Sequence, residues 1–212
     1  MSESAPPLPT GVLREPQQER SREKVTRILA AATRLLAERP YEEIGTKLIA
    51  AEAGVSIGVL YRFFPDKLAI ATTLMAHWID DFTALTTTAL AGPLPADARE
   101  LTARVLDAHV HFRREQPAYR SLSHDGPPLP ALRGYDEAGE RRLAGAIRTV
   151  LVRHYGYPDT PAFALRTELA VSTTGRLLGT AFRSDPQGDP AVLAEIRRML
   201  DGWLLAGPPA AD

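Results

Sequence analysis

The sequence predicts an all-α protein of about nine helices, a three-helix N-terminal bundle followed by a larger helical domain. Three observations carry this. Apolar residues recur at spacings of three and four in one segment after another, the stripe of a helix buried on one side. Proline or glycine interrupts the pattern where most segments must stop. One stretch, Thr46 to Lys67 (TKLIAAEAGVSIGVLYRFFPDK), reads as two short helices joined by a glycine turn.

Residues 1–19 carry four prolines and few apolar anchors, so a flexible arm is expected. Helix one is predicted over 20–38, where Val25, Ile28, Leu29, Ala32, Leu35 and Leu36 form the stripe. Pro40 and Tyr41 break it. Helix two is predicted over Lys47–Ala53, with Leu48, Ile49 and Ala50 inward. Gly54 stands where that helix must end, because glycine tolerates the left-handed conformation of a sharp turn. Val55 plugs the turn, and Ser56 can cap helix three by accepting a backbone N–H bond. Helix three is predicted over Ile57–Phe63, with Val59, Leu60 and Phe63/Phe64 toward the bundle. Pro65 ends it, and Asp66 favours the N-terminus of the next helix.

Helix four is predicted from about Pro65 to Leu85, with Leu68, Leu74/Met75, Trp78, Phe82 and Leu85 on one side. It leaves the bundle and enters the second domain, which makes it the natural carrier of any switch. The expected division is therefore an arm at 1–19, a bundle at 20–66 and a second domain at 67–212. In that domain helix five is predicted over Ala98–Gln116 and helix six over Ala118–Ser123. A Gly/Pro loop follows at 124–134, either a binding loop or disordered. Helix seven (Tyr135–Tyr155) places Leu143, Ile147, Val150/Leu151 and His154 on one face. Helix eight (Pro161–Ser184) carries a stripe of Phe163, Ala170, Leu177 and Ala181, and small residues at Ser172, Gly175 and Gly179. A mid-helix glycine costs about 1 kcal/mol against alanine, so close approach of another helix is expected there. Helix nine (Pro190–Ala206) has a stripe, from Val192 to Leu204, wide for a single partner. Helices eight and nine are expected to pair with their copies across a two-fold axis, through Ser172, Gly175, Gly179, Ile196, Met199, Leu200 and Trp203. The alternative is that both stripes are core.

Composition narrows the function. There is no cysteine, hence no disulfide framework and no thiolate metal site. No apolar run approaches the roughly 18 residues of a membrane span, and MSESAPPLPTG lacks the pattern of a signal peptide. A cytoplasmic protein without a membrane partner is expected. The net charge of −1 and pI near 6.5 argue against binding nucleic acid by overall charge, so any such contact must come from a local patch. Arg34 and Arg39 read as a solvated face; Arg20, Arg22 and Lys24 read equally as phosphate ligands or solvated charges.

A helix–glycine turn–helix of this length is the unit that sets its second helix into the major groove of double-stranded DNA. Ser56, Ile57 and Gly58 then lie nearest the bases: Ile57 can meet a thymine methyl, and Gly58 lets the backbone come close. Arg62 can reach a guanine or a phosphate. GVSIGVLYRFFPDKLAI, preceded by RPYEEIGTKLIAAEAG, resembles the tetracycline-repressor (TetR) family of bacterial regulators over about Val25 to Leu74. The rest matches that family only in length and helical pattern. The resemblance implies a homodimeric repressor that binds a near-palindromic operator and is released by a small-molecule effector. It implies phosphate contacts for Thr46, Tyr61 and Lys67, and a base or phosphate contact for Lys47. Three residues depart from the family pattern. Val59 and Phe63 stand where hydrogen-bonding side chains are frequent, and Phe63 has sugars or the bundle as alternatives. Gly45 replaces a frequent capping threonine, so weaker capping is expected, with Thr46 partly substituting.

The effector is expected among helices four to eight, near Trp78, Phe82, His109, Phe112, Tyr119, Leu143, Ile147 and Phe163, a mostly apolar set with a few polar tips. A largely apolar compound follows; core packing is the alternative for each residue. The five histidines (His77, His109, His111, His124, His154) form no ligand set: His109 and His111 point about 200° apart on a helix. No catalytic motif is present, and no cofactor or enzymatic activity is expected. An activator, an effector-free DNA-binding protein, and a helical enzyme or carrier with a purely structural bundle are the alternatives.

Overall fold

The computed structural model describes residues 19–124 and 133–206, with side chains described over 21–123 and 137–206. Every described regular element is helical: α1 (Glu19–Glu38), a 3-10 turn (Tyr41–Glu43), α2 (Thr46–Glu52), α3 (Ile57–Phe63), α4 (Lys67–Ala91), α5 (Ala98–Glu115), α6 (Pro117–His124), α7 (Arg133–Tyr155), α8 (Pro161–Ala181), α9 (Pro190–Met199) and a π-helical turn (Leu200–Leu204). None of the described helices is long and apolar enough to cross a bilayer. The expected arm at 1–19 lies almost wholly outside the described residues, as does most of the loop at 124–134.

The chain forms two compact units. The first comprises residues 1–79 and 116–136, the second 80–115 and 137–212. This differs from the expected cut at 66/67. The boundary falls inside α4, and α6 joins the first unit by packing on α1, burying Ala118 and Leu122.

In the first unit α1 buries Ile28, Ala31, Ala32, Leu35 and Leu36, so its stripe is the one the periodicity predicts. Gly54 adopts φ +63°, the left-handed turn, and Val55 N–H donates to the Ala50 carbonyl across it. α4 starts where Asp66 Oδ1 accepts the Ala69 N–H at 2.7 Å, a side-chain cap.

α4 runs six residues beyond its expected end. Its β-branched tail is satisfied internally: Thr86, Thr87 and Thr88 donate to the carbonyls of Phe82, Thr83 and Ala84 at 2.8–2.9 Å.

The second unit is built on one apolar cluster whose fully buried members include Leu101, Leu151, Leu178 and Ile196. Thr160 caps α8 by accepting the Phe163 N–H, with Pro161 at the first helical position. α8 buries Phe163, Thr167, Ala170, Thr174, Leu178 and Ala181. The predicted stripe is thus corrected at one position: Leu178, not Leu177, is the buried leucine. α8 stops at Ala181 because the chain reverses through Gly188 (φ +82°), and Asp189 N–H donates back to the Ala181 carbonyl at 2.8 Å. Asp189 Oδ1 then caps α9. The helix predicted to Ala206 changes at Leu200 into a π turn, in which Leu205 N–H reaches the Leu200 carbonyl. That turn leaves Trp203 exposed and buries Leu204. His154, expected inward on α7, is exposed.

Candidate nucleic-acid interface and ligand cavity

α3 is seven residues long and has two faces. Leu60 and Phe63 are buried, and Phe64 beyond them completes the anchor. Phe63 therefore packs into the bundle, not on a sugar. The opposite face exposes Ile57, Gly58, Tyr61 and Arg62, with Ile57 37% and Tyr61 47% accessible. Ile57 and Tyr61 thus place an apolar and an aromatic side chain on the exposed side of a short, capped helix. Ser56 caps the helix as expected, its Oγ accepting Val59 N–H at 3.3 Å. A Cβ at Gly58 would meet nothing within 4 Å, so no internal packing requires glycine there.

The neighbouring polar residues are tied together. Thr46 Oγ1 and Tyr61 OH lie 2.9 Å apart, linking the start of α2 to α3. Gly45 offers α2 no side-chain cap. Thr46 does not substitute for one: it sits inside the helix with its hydroxyl on Tyr61. Lys47 is exposed. Lys67 Nζ donates to the Tyr41 carbonyl at 2.7 Å and stands 3.8 Å over the Tyr41 ring. Burial holds that ammonium below its ordinary range, with Glu42 opposing the shift. Arg62 lies 5.9 Å over the Phe63 ring. Arg34 pairs with Glu52 at 3.0 Å on the surface, the solvated role expected of it. Thr46, Lys47, Ser56, Ile57, Gly58, Tyr61 and Arg62 are thus partly or fully accessible on adjoining helices, with Lys67 held at the start of α4.

The residues expected around an effector separate. Trp78 meets Tyr119 edge-on at 6.1 Å in the first unit. In the second unit Phe82 stacks on His109 at 3.7 Å and meets Phe112 at 5.6 Å, while Phe163 stacks on Tyr157 at 5.3 Å. A cavity of about 470 Å³, counting where it opens to solvent, lies among α5, α7, α8 and the π turn. Of the eight expected residues only His109, Leu143 and Ile147 line it; Trp78, Phe82, Phe112, Tyr119 and Phe163 serve packing instead. Thr102 and Thr174 also line it, outside the expected set. Thr174 lies on the α8 stripe that runs 163, 167, 170, 174, 178, a helical spacing visible in the sequence once threonine is allowed a buried position. Burial pushes the His109 imidazole down to about 3, with the Arg113 guanidinium adding to the effect. The ring is enclosed although the residue as a whole is only partly covered. At neutral pH it is uncharged.

Two of the residues expected at a subunit interface are not available to one. Ile196 is fully buried and Leu200 nearly so, both in the chain's own apolar cluster. Ser172, Gly175, Gly179 and Met199 are partly exposed, and Trp203 is exposed. A Cβ at Gly175 would make only ordinary contact with Glu140 at 3.8 Å, so no helix of the same chain requires that glycine. Leu165 and Leu169, on another side of α8, are 57% and 47% exposed.

Residues 28–74 match the family described as bacterial regulatory proteins, tetR family, and residues 97–204 match the tetracyclin repressor-like C-terminal domain. The HTH-type transcriptional repressor KstR of Mycolicibacterium smegmatis is 33% identical over 78 residues, 36% of this chain and 38% of that protein. A TetR-family transcriptional regulator from Streptomyces coelicolor superimposes with a TM-score of 0.63 at 28% identity, over 85% of this chain and 97% of that one. The fatty acid degradation regulator FadR of Bacillus halodurans superimposes with a TM-score of 0.68 over 88% and 96%; at 15% identity this speaks to the fold alone.

Proposed function

The chain belongs to the bacterial tetR family of regulatory proteins, whose members are transcriptional regulators and not enzymes; from that premise we propose that it is a homodimeric repressor that binds a near-palindromic operator and is released by a small, largely apolar effector. The observation that carries the DNA half is the outer face of α3. Ile57, Gly58, Tyr61 and Arg62 are exposed on a helix fixed from behind by Leu60, Phe63 and Phe64. Such a face can enter a major groove with Ser56, Ile57 and Gly58 toward base edges, while Thr46, Lys47 and Tyr61 meet phosphates. The Thr46–Tyr61 bond would orient both hydroxyls. Lys67 contributes through an ammonium already anchored on Tyr41, so part of its role is to hold α4 against the 3-10 turn.

The effector half rests on the cavity of the second unit, an apolar recess lined from α5, α7, α8 and the π turn. His109 lines that cavity and stacks on Phe82 of α4, the helix whose residues belong to both units. In this proposal a ligand shifts the α4 position through that stack and so biases the protein toward a spacing of reading helices unsuited to grooves about 34–36 Å apart. The second copy would seat on α8, through Leu165, Leu169, Ser172 and Gly175; these exposed residues support a dimer without Ile196 or Leu200. A repressor sense follows the name of the Mycolicibacterium relative. The cytoplasm is the compartment in which such a protein meets its operator.

The test is a gel shift with the DNA upstream of the protein's own coding region, run across salt concentrations. Affinity should fall steeply with salt, and Arg62→Ala should reduce the slope by about 1 if Arg62 meets a phosphate. Absence of binding to any DNA at low salt would sink the reading. For the relay, Phe82→Ala should leave DNA affinity in place while shrinking the effect of a ligand on it.

A further inference from the structure

Side chains tell base pairs apart in the major groove chiefly in four ways. Arg or Lys meets guanine, Asn or Gln meets adenine, Asp or Glu meets cytosine, and an apolar group meets the thymine methyl. α3 contains no Asn, Gln, Asp or Glu. The one acid of α2, Glu52, is held by Arg34 at 3.0 Å. Ser56 turns its Oγ back to the Val59 N–H, and Tyr61 OH lies 2.9 Å from Thr46 Oγ1. Gly58 has no side chain, and a Cβ there would meet nothing within 4 Å. Arg62 lies in the last turn of α3, with its guanidinium 5.9 Å over the Phe63 ring. Lys47, exposed on α2, and Arg62 are the cations left for guanine or phosphate.

What the start of α3 presents is therefore Ile57. It is the first residue of the helix, 37% accessible, and it stands beside the open space at Gly58. The N-terminal residues of a reading helix are the ones that meet base edges. A branched aliphatic side chain gains there by covering apolar surface, and the apolar group that the groove offers is the C5-methyl of thymine. A 5-methylcytosine carries the same methyl on the same ring carbon.

We propose that Ile57 is a specificity-determining residue, which reads a pyrimidine C5-methyl in each operator half-site and accepts 5-methylcytosine in place of thymine at that contact. This rests on the DNA-binding reading above and names what α3 recognises there. The methyl, and not the hydrogen-bonding edge of the pair, decides the contact. Methylation of a cytosine at this position therefore raises the affinity of an otherwise poor site.

The experiment uses the full-length protein. Wild type first enriches its preferred site from a pool of random-sequence DNA duplexes. Each thymine of the half-site is then replaced in turn by deoxyuridine, by cytosine and by 5-methylcytosine, the last two paired with guanine. Affinities are measured by gel shift for wild type, Ile57→Ala and Ile57→Val. At one position per half-site, wild type should bind thymine about three- to fivefold tighter than uracil, the worth of one methyl removed from water. At the same position 5-methylcytosine should exceed cytosine by a similar factor. Ile57→Ala should bring both ratios close to one, and Ile57→Val should keep most of each. Every ratio is taken within one protein, so a loss of folded material in a variant cancels from it. The proposal is overturned if the enriched half-site holds no thymine, if no thymine shows a methyl effect in wild type, or if Ile57→Ala keeps the ratios. A pool from which wild type enriches no sequence defeats the DNA-binding reading, and this proposal with it. Tight binding to the enriched site with all ratios near one defeats the proposal alone.

Discussion

α3 and α8 are built on opposite plans. α3 has seven residues, buries Leu60 and Phe63, and turns everything of chemical interest outward. α8 has twenty-one residues, buries six of them, and turns Ala170, Val171 and Thr174 toward an internal cavity. An outward face is made by residues one turn apart on short adjoining helices that the rest of the unit leaves uncovered. A cavity is what α5, α7, α8 and the π turn together fail to fill. The first kind of site tolerates substitution of its own residues without unfolding; the second shares residues with the core.

Substitutions can break or sharpen that contrast. The largest effect on folding is expected at Leu178, fully buried in the second unit. Leu178→Ala should lower the unfolding free energy by about 2–5 kcal/mol in a urea titration. Acidification comes next. The His109 imidazole takes a proton near pH 6.5 when unfolded and only at about 3 when folded. Between those values the unfolded chain binds the extra proton, so this stabilisation is complete above pH 6.5 and shrinks as pH falls toward 3. His109→Phe should therefore show a smaller loss of melting temperature from pH 7 to pH 4 than wild type; an equal loss would mean the ring is not enclosed. At the α2–α3 turn, Gly54→Ala must place a side chain at φ +63°, at a cost of about 1–2 kcal/mol by the same titration. Ser56→Ala removes the cap of α3 and should cost about 1 kcal/mol. The smallest effect on folding is expected at Gly58, where a methyl enters open space: Gly58→Ala should change stability by less than about 0.5 kcal/mol, yet weaken operator binding in the gel shift. Unchanged DNA affinity there would place the bases elsewhere.

Much of the first unit was legible because its determinants are local. The ends of α3 follow from Ser56 before it and Phe64-Pro65 after it, and the turn from Gly54. The extra turns of α4 were not legible, because threonines read as poor helix formers until their hydroxyls find the carbonyls behind them. The aromatic residues Trp78, Phe82, Phe112, Tyr119 and Phe163 read equally well as cavity walls or as packing; rings paired with one another, and only the fold says which rings meet.

By itself the sequence determined that the chain is helical, where most helices start, and which face of α3 stays exposed, since periodicity and capping act within a few residues. Tertiary structure alone decided that Ile196 and Leu200 belong to the core, that α6 joins α1, and that α5, α7, α8 and the π turn leave a cavity among them. Those depend on residues far apart in the chain arriving at the same place, and on the volume left when they do, which no local pattern encodes.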